Sequence, residues 1–410
     1  MPIIVVGAGI IGVTIAYALQ QRGHQVILIE RDAPGKGASY GNMASISVTG
    51  FMPASRPEVW KQIPGWILNP DGPIRIRPGY MWHLAPWFAR FIAAGMPTKW
   101  PALAAQGAAL CGRVYDDLLP LLQETGLTGE LTEEGCLSIY ENEAEFQSDL
   151  ENIRLLEKFR FPHEKLDRQQ IAQLEPELSE KIKIAVLLPQ NRSVRDPYRL
   201  VTALAEQFVA RGGIIQRGEV VGFQRAETIQ ALHLADGQPL TADHIIICAG
   251  AYSGQLANLL GEPIPLETER GYHTQIMSPG ITMRHSLIWP ARAFMVTPTA
   301  GGIRVGGTVE MAGLEAPPNY RRAQVTLRHA QHALPGLRAK DTTEWMGHRP
   351  ALPDTIPIIS ASARTKGVYY ATGHGHLGLT YAATTARLMA DLVTGVRPPI
   401  DMHPYRVNRF

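Results

Sequence analysis

The residues that first suggest chemistry are three closely spaced glycines, Gly7, Gly9 and Gly12, followed 18 residues later by an acid, Glu30. A β-branched run precedes the glycines, and apolar residues at helical spacing follow them. In such a strand, loop and helix, the glycines allow a tight turn, close approach of backbone N–H groups to a pyrophosphate, and close packing of the helix. The helix N-terminus adds partial positive charge, and an acid at this offset accepts hydrogen bonds from ribose hydroxyls. Residues 3–30 therefore predict a dinucleotide site, without separating NAD from FAD.

A second glycine-rich turn near the C-terminus narrows the choice of dinucleotide. The spacing predicts a strand over Val368 to Ala371, a turn over Gly373 to Gly378, and a helix over Leu379 to Leu392. This turn has neither a lysine nor a second acidic partner, and a helix N-terminus favours a group that becomes anionic. Reduced flavin carries its charge around N1 and the C2 carbonyl, whereas NAD dehydrogenases need no such late turn. The pattern therefore indicates a flavin ring at this turn.

The elements between the two turns would position these sites. The small-residue segment 31–47 is either a loop that lets backbone approach a flat ring or a phosphate, or a surface loop. The strand expected over 240–254 ends in a small-residue turn at Ala249, Gly250 and Ala251, as a second strand of the nucleotide fold would. Periodicity and turn signals also predict amphipathic helices over 104–125 and 143–160, a helix from Pro197 to about Arg211, strands over 213–224, antiparallel strands over 263–311, and a helix over 320–333.

These elements predict an α/β (α+β two-domain) fold. A Rossmann-like cofactor-binding domain is expected to be built from three discontinuous segments, 1–48, 190–262 and 340–400. The second domain, over 49–189 and 263–339, is expected to bind substrate with a mainly antiparallel sheet and helices.

Composition bounds the remaining classes of function. The net charge of +2 and the mixed signs along the chain argue against a nucleic-acid partner. Three widely spaced cysteines, Cys111, Cys136 and Cys248, exclude a disulfide framework or a structural zinc site, so no metal site is expected. A signal peptide would have to include the first strand, and no apolar run is long enough to span a membrane. We therefore expect a cytoplasmic protein.

One segment, 56–100, differs from the rest of the chain. It holds five of the seven tryptophans, and six Lys or Arg against two acids. Aromatic rings interleaved with cations are typical of a membrane interface or a partner surface. The alternative is a lid or core segment of the second domain.

Several motifs together resemble a known family. They are "VVGAGIIGVTIAYALQQRGHQVILIE", "ASYGNMASIS", "NPDGPIRIRP", "CAGAYSGQL", "ERGYHTQI", "GHRPALPDTIPII" and "TGHGHLGLTYAATTARLMADLVTG". They run from end to end of the chain and resemble the FAD-dependent D-amino-acid oxidase superfamily, in particular its D-amino-acid dehydrogenase (small subunit) branch. The first motif is shared by many flavoproteins, whereas the last two combined with "PDGPIRIRP" are specific to this branch. The "GHGHLG" variant is similar to D-hydroxyproline dehydrogenase-like members.

The resemblance implies FAD as cofactor and a set of residues that hold it. Sarcosine-oxidase relatives link FAD covalently through a late cysteine, and no cysteine follows Cys248 here, so FAD is expected to be bound non-covalently. The positions that match the FAD contacts of the family are Gly7, Gly9, Ile10, Ile11, Gly12, Glu30, Arg31, Ala38, Ser39, Asn42, Ala44, Ser45, Val220, Ala249, Gly250, Gly373, His374, Gly375, His376, Leu377, Gly378, Leu379 and Thr380.

The resemblance also implies the catalytic residues. Arg349 matches the arginine that clamps the substrate carboxylate, for which a planar bidentate donor is required. Tyr272 matches a position at the substrate face, with a packed core tyrosine as the alternative. His348, His374 and His376 are candidates to bind the amine or a side-chain group or to accept an amine proton, with a structural role as the alternative for each. The expected reaction takes hydride from Cα to flavin N5. The imine product hydrolyses to a 2-oxo acid and ammonia, or is a pyrroline carboxylate if D-proline or hydroxy-D-proline is the substrate.

The partners implied are a small zwitterionic amino acid and an electron acceptor, either a quinone or a partner redox protein. Segment 56–100 would then touch the inner face of the cell membrane peripherally. The runner-up is a glycine- or sarcosine-type oxidase that uses O₂, and a third interpretation is a chaperone-like binding protein that holds no flavin. The sequence does not predict the oligomeric state.

Overall fold

The structure is a computed structural model that describes residues 1–69, 71–237 and 239–410. Its strands are, in chain order, β1 Ile3–Val6, β2 Val26–Glu30, β3 Ser45–Ile46, β4 Ile74–Ile76, β5 Cys136–Tyr140, β6 Glu164–Leu166, β7 Ile184–Leu188, β8 Arg192–Ser193, β9 Ile214–Arg217, β10 Val220–Arg225, β11 Ile229–Leu234, β12 Pro239–Thr241, β13 His244–Ile247, β14 Glu267–Ile276, β15 Ser286–Trp289, β16 Phe294–Thr299, β17 Gly302–Met311, β18 Thr342–Ala351, β19 Ile358–Ala361 and β20 Val368–Thr372. Its α-helices are α1 Ile10–Gln21, α2 Pro57–Leu68, α3 Met81–Ala94, α4 Trp100–Cys111, α5 Val114–Glu124, α6 Glu143–Ser148, α7 Leu150–Lys158, α8 Arg168–Leu174, α9 Pro197–Ala210, α10 Ser253–Leu259, α11 Arg321–Ala333 and α12 Gly378–Val393.

A six-stranded sheet carries the two glycine turns. Its order is β19-β20-β13-β1-β2-β9, in which the five strands from β20 to β9 are parallel and β19 is antiparallel to β20. The apolar β1 is buried along its whole length because α1, α9 and α12 cover one face of the sheet, and the three-stranded sheet β10-β11-β12 with α10 covers the other. α1 packs beside α12, where the Thr14 hydroxyl donates to the Ala382 carbonyl at 3.2 Å. The strand, loop and helix expected at each end of the chain are confirmed.

The second sheet has nine strands in the order β18-β14-β17-β16-β15-β5-β7-β6, with β4 beside β17. Most of its pairings are antiparallel, as expected, but β15 with β5 and β17 with β4 are parallel. The long pair β14 and β18 stays in register from Glu267 opposite Ala351 to Ile276 opposite Thr342. This pair forms one edge of the sheet and carries the residues described below.

The sheet pairing corrects one expected domain boundary. The third cofactor-domain segment was expected to begin at residue 340, but β18 pairs with β14 in the nine-stranded sheet. The sequence pattern missed this because β18 shares its strand character with its neighbours on both sides, and only its pairing assigns it. We infer that the chain returns to the cofactor domain after Ala351, with β19 and β20.

Two expected helices are each divided in two. The helix expected over 104–125 is interrupted at Gly112 and Arg113, between α4 and α5. The helix expected over 143–160 is interrupted at Asp149, whose carboxylate accepts from the Tyr140 hydroxyl at 2.8 Å. In both cases the apolar periodicity continues through a one- or two-residue break, so spacing alone does not reveal it.

The Trp-rich segment 56–100, apart from Pro70, which lies outside the described residues, has two different sides. Trp87 and Phe91 of α3 are buried in a small apolar cluster with Met311 of β17 and Ala351 of β18. This inner side confirms the interpretation as a core segment of the second domain. The outer side of α3 is apolar too, yet it faces solvent at Met81, Trp82, Ala85, Ala89, Ile92 and Ala93.

Candidate active site

A cavity of about 750 Å³ lies between the two sheets. Its lining includes the glycine turn after β1, the loop between β2 and β3, the turn after β13, the middle of β14, most of β18, and the turn before α12. The two glycine turns, which lie at opposite ends of the sequence, therefore open into the same space. A cavity of this size is at the upper end of the range for cofactor sites.

The turn after β1 requires glycine at two positions. Gly7 has φ +103°, and a Cβ there would lie 2.6 Å from the Cys248 carbonyl oxygen. A Cβ on Gly12 would lie 1.8 Å from the Gly7 carbonyl oxygen. These contacts hold α1 close against β1, so that its N-terminus points into the cavity.

Polar groups at this turn stand where a dinucleotide would bind. One carboxylate oxygen of Glu30 accepts from the Ala8 N–H at 2.6 Å, and the other accepts from the Asp32 N–H at 3.1 Å. The Ser39 hydroxyl accepts from the Ile10 N–H at 3.0 Å, at the first residue of α1. A helix N-terminus whose donors reach a hydroxyl oxygen also suits a phosphate oxygen. The loop that carries Ser39 is thus part of the cavity wall, which favours the first of its two interpretations.

The turn before α12 has the same character. Gly373 and Gly375 have φ of +79° and +54°, and Leu377, the N-cap residue of α12, provides no capping side chain. The first N–H groups of a helix have no partner within the helix, so the start of α12 presents free donors to the cavity. Gly375 N–H donates to the Pro350 carbonyl at 2.8 Å, which ties this turn to the end of β18.

This donor set fits FAD. Two helix N-termini, neither of which is capped by its own N-cap side chain, open into one cavity. Glycines occupy the positions at which the backbone of the turn comes closest to neighbouring backbone. Nearly all predicted cofactor positions line the cavity, the exceptions being Gly12, Ala44, Gly373 and Thr380. These four support the wall instead. For example, the Thr380 hydroxyl accepts from the Ser47 N–H at 3.0 Å.

Arg349 lies on β18 next to Pro350, whose carbonyl accepts from Gly375 N–H of the turn before α12. Its guanidinium crosses Gly271 of β14, since a Cβ at Gly271 would lie 2.3 Å from Nη2, and its Nη1 donates to the Thr308 carbonyl at 3.3 Å. Burial lowers the pKa of Arg349, and the neighbouring Glu269 carboxylate raises it. An arginine nonetheless stays protonated, so the cavity wall presents a fixed cation. Arg349 has no ion pair within 4.0 Å among the described residues.

Two of the three histidines considered in the sequence differ in where their rings point. The His374 ring is buried, with its Nε2 3.0 Å from the Thr385 hydroxyl of α12, so this residue is structural and lines the cavity beside the turn. The His376 ring is exposed, but to the cavity. Burial by the surrounding protein, and next the Arg349 charge, lower the pKa of His376 to about 4, so its ring is neutral at pH 7.

Tyr272 and His348 lie differently from what was expected of them. Alternate residues of a strand point to opposite faces of the sheet, which places both side chains on the face opposite Arg349 and Gly271. The Tyr272 hydroxyl donates to Glu310 and accepts from the Asn319 N–H at 3.0 Å. It borders the cavity, but its only hydrogen is engaged elsewhere, which matches the alternative of a packed core tyrosine.

His348 also has a partner on that face. Its Nδ1 lies 2.9 Å from the Thr268 hydroxyl, and its ring is edge-on to Tyr252, whose own ring lies under the Arg31 guanidinium. Burial, then the charge of Arg270, lowers the pKa of His348 to about 4. The neutral ring therefore borders the nucleotide side of the cavity, away from the Arg349 guanidinium.

Sequence reasoning missed Glu269 and Trp345. Glu269 is directly opposite Arg349 in the strand pair, and it lines the cavity. Trp345 lies over Gly41 and Gly347, and its ring stacks on His273 at 5.2 Å between ring centroids. The signal was the alternation in "ERGYH" and "WMGHRP", where residues two apart share a face with Gly271 and Arg349.

The chain belongs to the DAO family of FAD dependent oxidoreductases, whose model matches residues 2–392. Its cofactor is therefore FAD, and the two-domain fold and the FAD-dependent oxidoreductase class expected from the sequence are confirmed. A D-amino-acid oxidase of Bradyrhizobium diazoefficiens is 33% identical over 417 residues, covering 99% of this chain and 98% of that protein. A D-amino acid dehydrogenase of Rhizobium rhizogenes is 26% identical over 425 residues and is covered completely, as is this chain.

Solved structures share the fold. Glycine oxidase from Geobacillus kaustophilus has a TM-score of 0.77 at 20% identity, covering 100% of this chain and 98% of that one. L-proline dehydrogenase from P. horikoshii has a TM-score of 0.74 at 19% identity, covering 100% and 97%. At these identities the likeness shows the architecture, and the substrate has to be argued from the site itself.

Proposed function

We propose that the protein oxidises a small D-amino acid at the bond between Cα and nitrogen, giving an imine that water hydrolyses to a 2-oxo acid and ammonia. The observation that carries this proposal is the Arg349 guanidinium, which faces the cavity beside the start of α12 and has no ion pair within 4.0 Å in the part of the chain that the structure describes. Relatives named D-amino-acid oxidase and D-amino acid dehydrogenase support the D configuration. FAD, when bound, accepts the hydride.

The chain's own residues bind and orient the substrate. Arg349 binds the substrate carboxylate as a planar donor, and its bond to Thr308 and its contact with Gly271 fix the direction of the guanidinium. Trp345 covers the backbone at Gly41 and Gly347, on the same face of the sheet as Arg349, and excludes water from it. His376, neutral at pH 7, offers a hydrogen-bonding nitrogen to the amine without adding positive charge.

The test is anaerobic mixing of the purified holoprotein with a panel of D- and L-amino acids. We expect loss of the visible flavin absorption with several D-amino acids, and formation of the corresponding 2-oxo acid and ammonia. D-proline or hydroxy-D-proline belongs in the panel because the "GHGHLG" turn resembles hydroxyproline-catabolic relatives, and it would yield a pyrroline carboxylate. If no D-amino acid bleaches the flavin, the proposal is wrong.

The electron acceptor we propose is a quinone reached from a membrane surface. The outer side of α3 supports this, because its exposed apolar residues share one helical face and Trp82 is 87% exposed. Three exposed cations lie on α3 or close to it in the chain, Arg90 within the helix and Arg77 and Lys99 on either side of it, as suits an anionic lipid surface. No α-helix among the described residues is long and apolar enough to cross a bilayer. The contact that we propose is a peripheral one.

Vesicle sedimentation tests this contact. At low salt we expect the protein to pellet with vesicles containing phosphatidylglycerol, and Trp82→Ser to pellet less. Val209→Ser, at a position on α9 that is 48% exposed, is the matched control and should behave as the wild type does. Wild-type protein that stays wholly in the supernatant would contradict peripheral contact.

The second candidate acceptor is O₂, and the name of the D-amino-acid oxidase relative favours it. Hydrogen peroxide formed in step with the 2-oxo acid under air would identify the protein as an oxidase. Turnover that needs an added quinone, with little peroxide, would identify it as a dehydrogenase.

A further inference from the structure

Glu269 and Arg349 place opposite charges side by side on the cavity wall. They face each other directly across the pair of strands β14 and β18, where side chains lie on the same face with Cβ atoms about 4.5–5.5 Å apart. Both residues line the cavity. Nevertheless, no ion pair within 4.0 Å joins them, and the Glu269 carboxylate has no hydrogen-bond partner among the described residues.

The reason is the direction of the arginine side chain. The guanidinium leans away from Glu269, over Gly271, to reach the Thr308 carbonyl on the next strand. The two charges are therefore presented to the cavity separately. Since an enclosed charge without a partner is unfavourable, this wall suits a ligand that carries both complementary charges.

Of the acids in and beside the cavity, and of His376, Glu269 is the group best placed to bind the positive charge of such a ligand. Glu267, on the same face of β14, accepts a hydrogen bond from the Tyr80 hydroxyl at 2.9 Å and does not line the cavity. His376, facing from the turn before α12, has a pKa lowered to about 4 and is a weak proton acceptor. The other acids that line the cavity are Glu30, Asp32 and Glu219. These lie near the end of β2, on the nucleotide side, where Gly218 N–H donates to the Glu30 carbonyl at 2.8 Å.

We propose that Glu269 binds the α-ammonium group of the substrate and takes its proton, a role that rests on the proposed function. In this step one N–H bond of the ammonium breaks and one O–H bond forms on the Glu269 carboxylate, without any change in oxidation state. The amine is left neutral, with a free lone pair, and that lone pair is what assists departure of hydride from Cα. Arg349 and Glu269 together thus recognise the two charges of an amino acid.

The electrostatics agree with this geometry. Burial raises the pKa of Glu269, the Arg349 charge lowers it, and the Glu267 charge raises it. A carboxylate with a raised pKa is a stronger proton acceptor than an ordinary one and is better matched to an ammonium proton.

Glu269→Gln tests the proposal, with Glu267→Gln on the same strand and face as the matched control. For Glu269→Gln we expect FAD binding to be unchanged and kcat/KM at pH 7 to fall about 100-fold. The loss should diminish as the pH rises and the free amino acid itself deprotonates, so that the acid limb of kcat/KM moves to higher pH. Glu267→Gln removes a charge that raises the pKa of Glu269, so its acid limb should stay at the wild-type pH or move slightly to lower pH, opposite to the shift in Glu269→Gln.

Binding provides a second readout that does not depend on turnover. An amine-free analogue, the 2-hydroxy acid of the same side chain, should bind to wild type and Glu269→Gln equally well, as measured by the perturbation of the flavin spectrum. Equal weakening of this analogue, an unshifted pH profile, or a loss confined to substrates with basic side chains would each overturn the role of Glu269. Wild-type protein that oxidises no amino acid would instead refute the proposed function, so the two failures are distinguishable.

Discussion

The two ends of the cavity are built by different means. At the nucleotide end, backbone N–H groups of two helix N-termini and closely packed glycines form the wall. At the substrate end, side chains on adjacent strands do so, with Arg349 and Glu269 presenting separate charges. Backbone donors suit phosphate and flavin oxygens, which every member of the family must bind, whereas side chains can change with the substrate. The difference explains how one scaffold keeps its cofactor while its specificity varies.

The largest effect on FAD binding and stability should come from adding a side chain at the glycine turn after β1. In Gly12→Ala the new Cβ would lie 1.8 Å from the Gly7 carbonyl oxygen, so α1 must move away from β1. We expect a protein that is purified without FAD and is destabilised by about 1–3 kcal/mol. Absorption spectra and urea unfolding measure both effects. Gly129→Ala, where a Cβ meets open space, should stay yellow. A yellow Gly12→Ala protein would contradict the role of this turn.

The second largest effect should come from replacing Arg349, and it should be confined to the substrate end of the cavity. Arg349→Lys keeps the charge but loses the planar pair of donors and the bond to Thr308. We expect normal FAD content and a kcat/KM for D-amino acids lowered by about 10²–10³. If the variant instead loses FAD, or keeps its activity, the division of the cavity into two independent ends is wrong.

Acidification should weaken the nucleotide end through His374. Burial lowers the pKa of His374 to about 3, below its ordinary value of 6.5, so the unfolded chain binds this proton first as the pH falls. The stability that the neutral ring contributes is fully present above pH 6.5 and is lost progressively down to about pH 3. The loss is about 2 kcal/mol at pH 5. Denaturant unfolding at pH 7 and pH 5 should show a smaller loss in His374→Gln than in wild type. An equal loss in both proteins would contradict this prediction.

The smallest effect is expected on the far face of the substrate sheet. Tyr272→Phe removes the hydrogen bonds to Glu310 and Asn319, which should reduce the free energy of unfolding by about 1–2 kcal/mol. Because the hydroxyl is engaged away from Arg349, kcat/KM should stay within about threefold of wild type. A loss as large as that of Arg349→Lys would place the tyrosine hydroxyl at the substrate after all.

Sequence reasoning succeeded where chemistry depends on the backbone. A glycine whose Cβ would overlap a neighbouring carbonyl, such as Gly7 or Gly12, leaves a direct mark in the sequence, and both turns were predicted at the positions found. The assembly of one sheet from distant segments also followed from these strand-to-glycine patterns.

Sequence reasoning was less successful where chemistry depends on which face of a strand or turn a side chain occupies. His374 and His376 are two residues apart, yet one ring bonds into α12 and the other faces the cavity. Tyr272 is adjacent to Gly271 and lies on the opposite face, while Glu269, two residues away, shares the face of Arg349. These assignments depend on the register of β14 against β18, which only the folded chain defines.

The most direct test of the account is an experimental structure of the protein with FAD and a non-oxidisable carboxylate analogue of a D-amino acid. We predict that the dinucleotide lies along the turn after β1, that the flavin ring meets the first turn of α12, and that the carboxylate is bound by Arg349. A flavin ring remote from α12, or a carboxylate bound without Arg349, would contradict it.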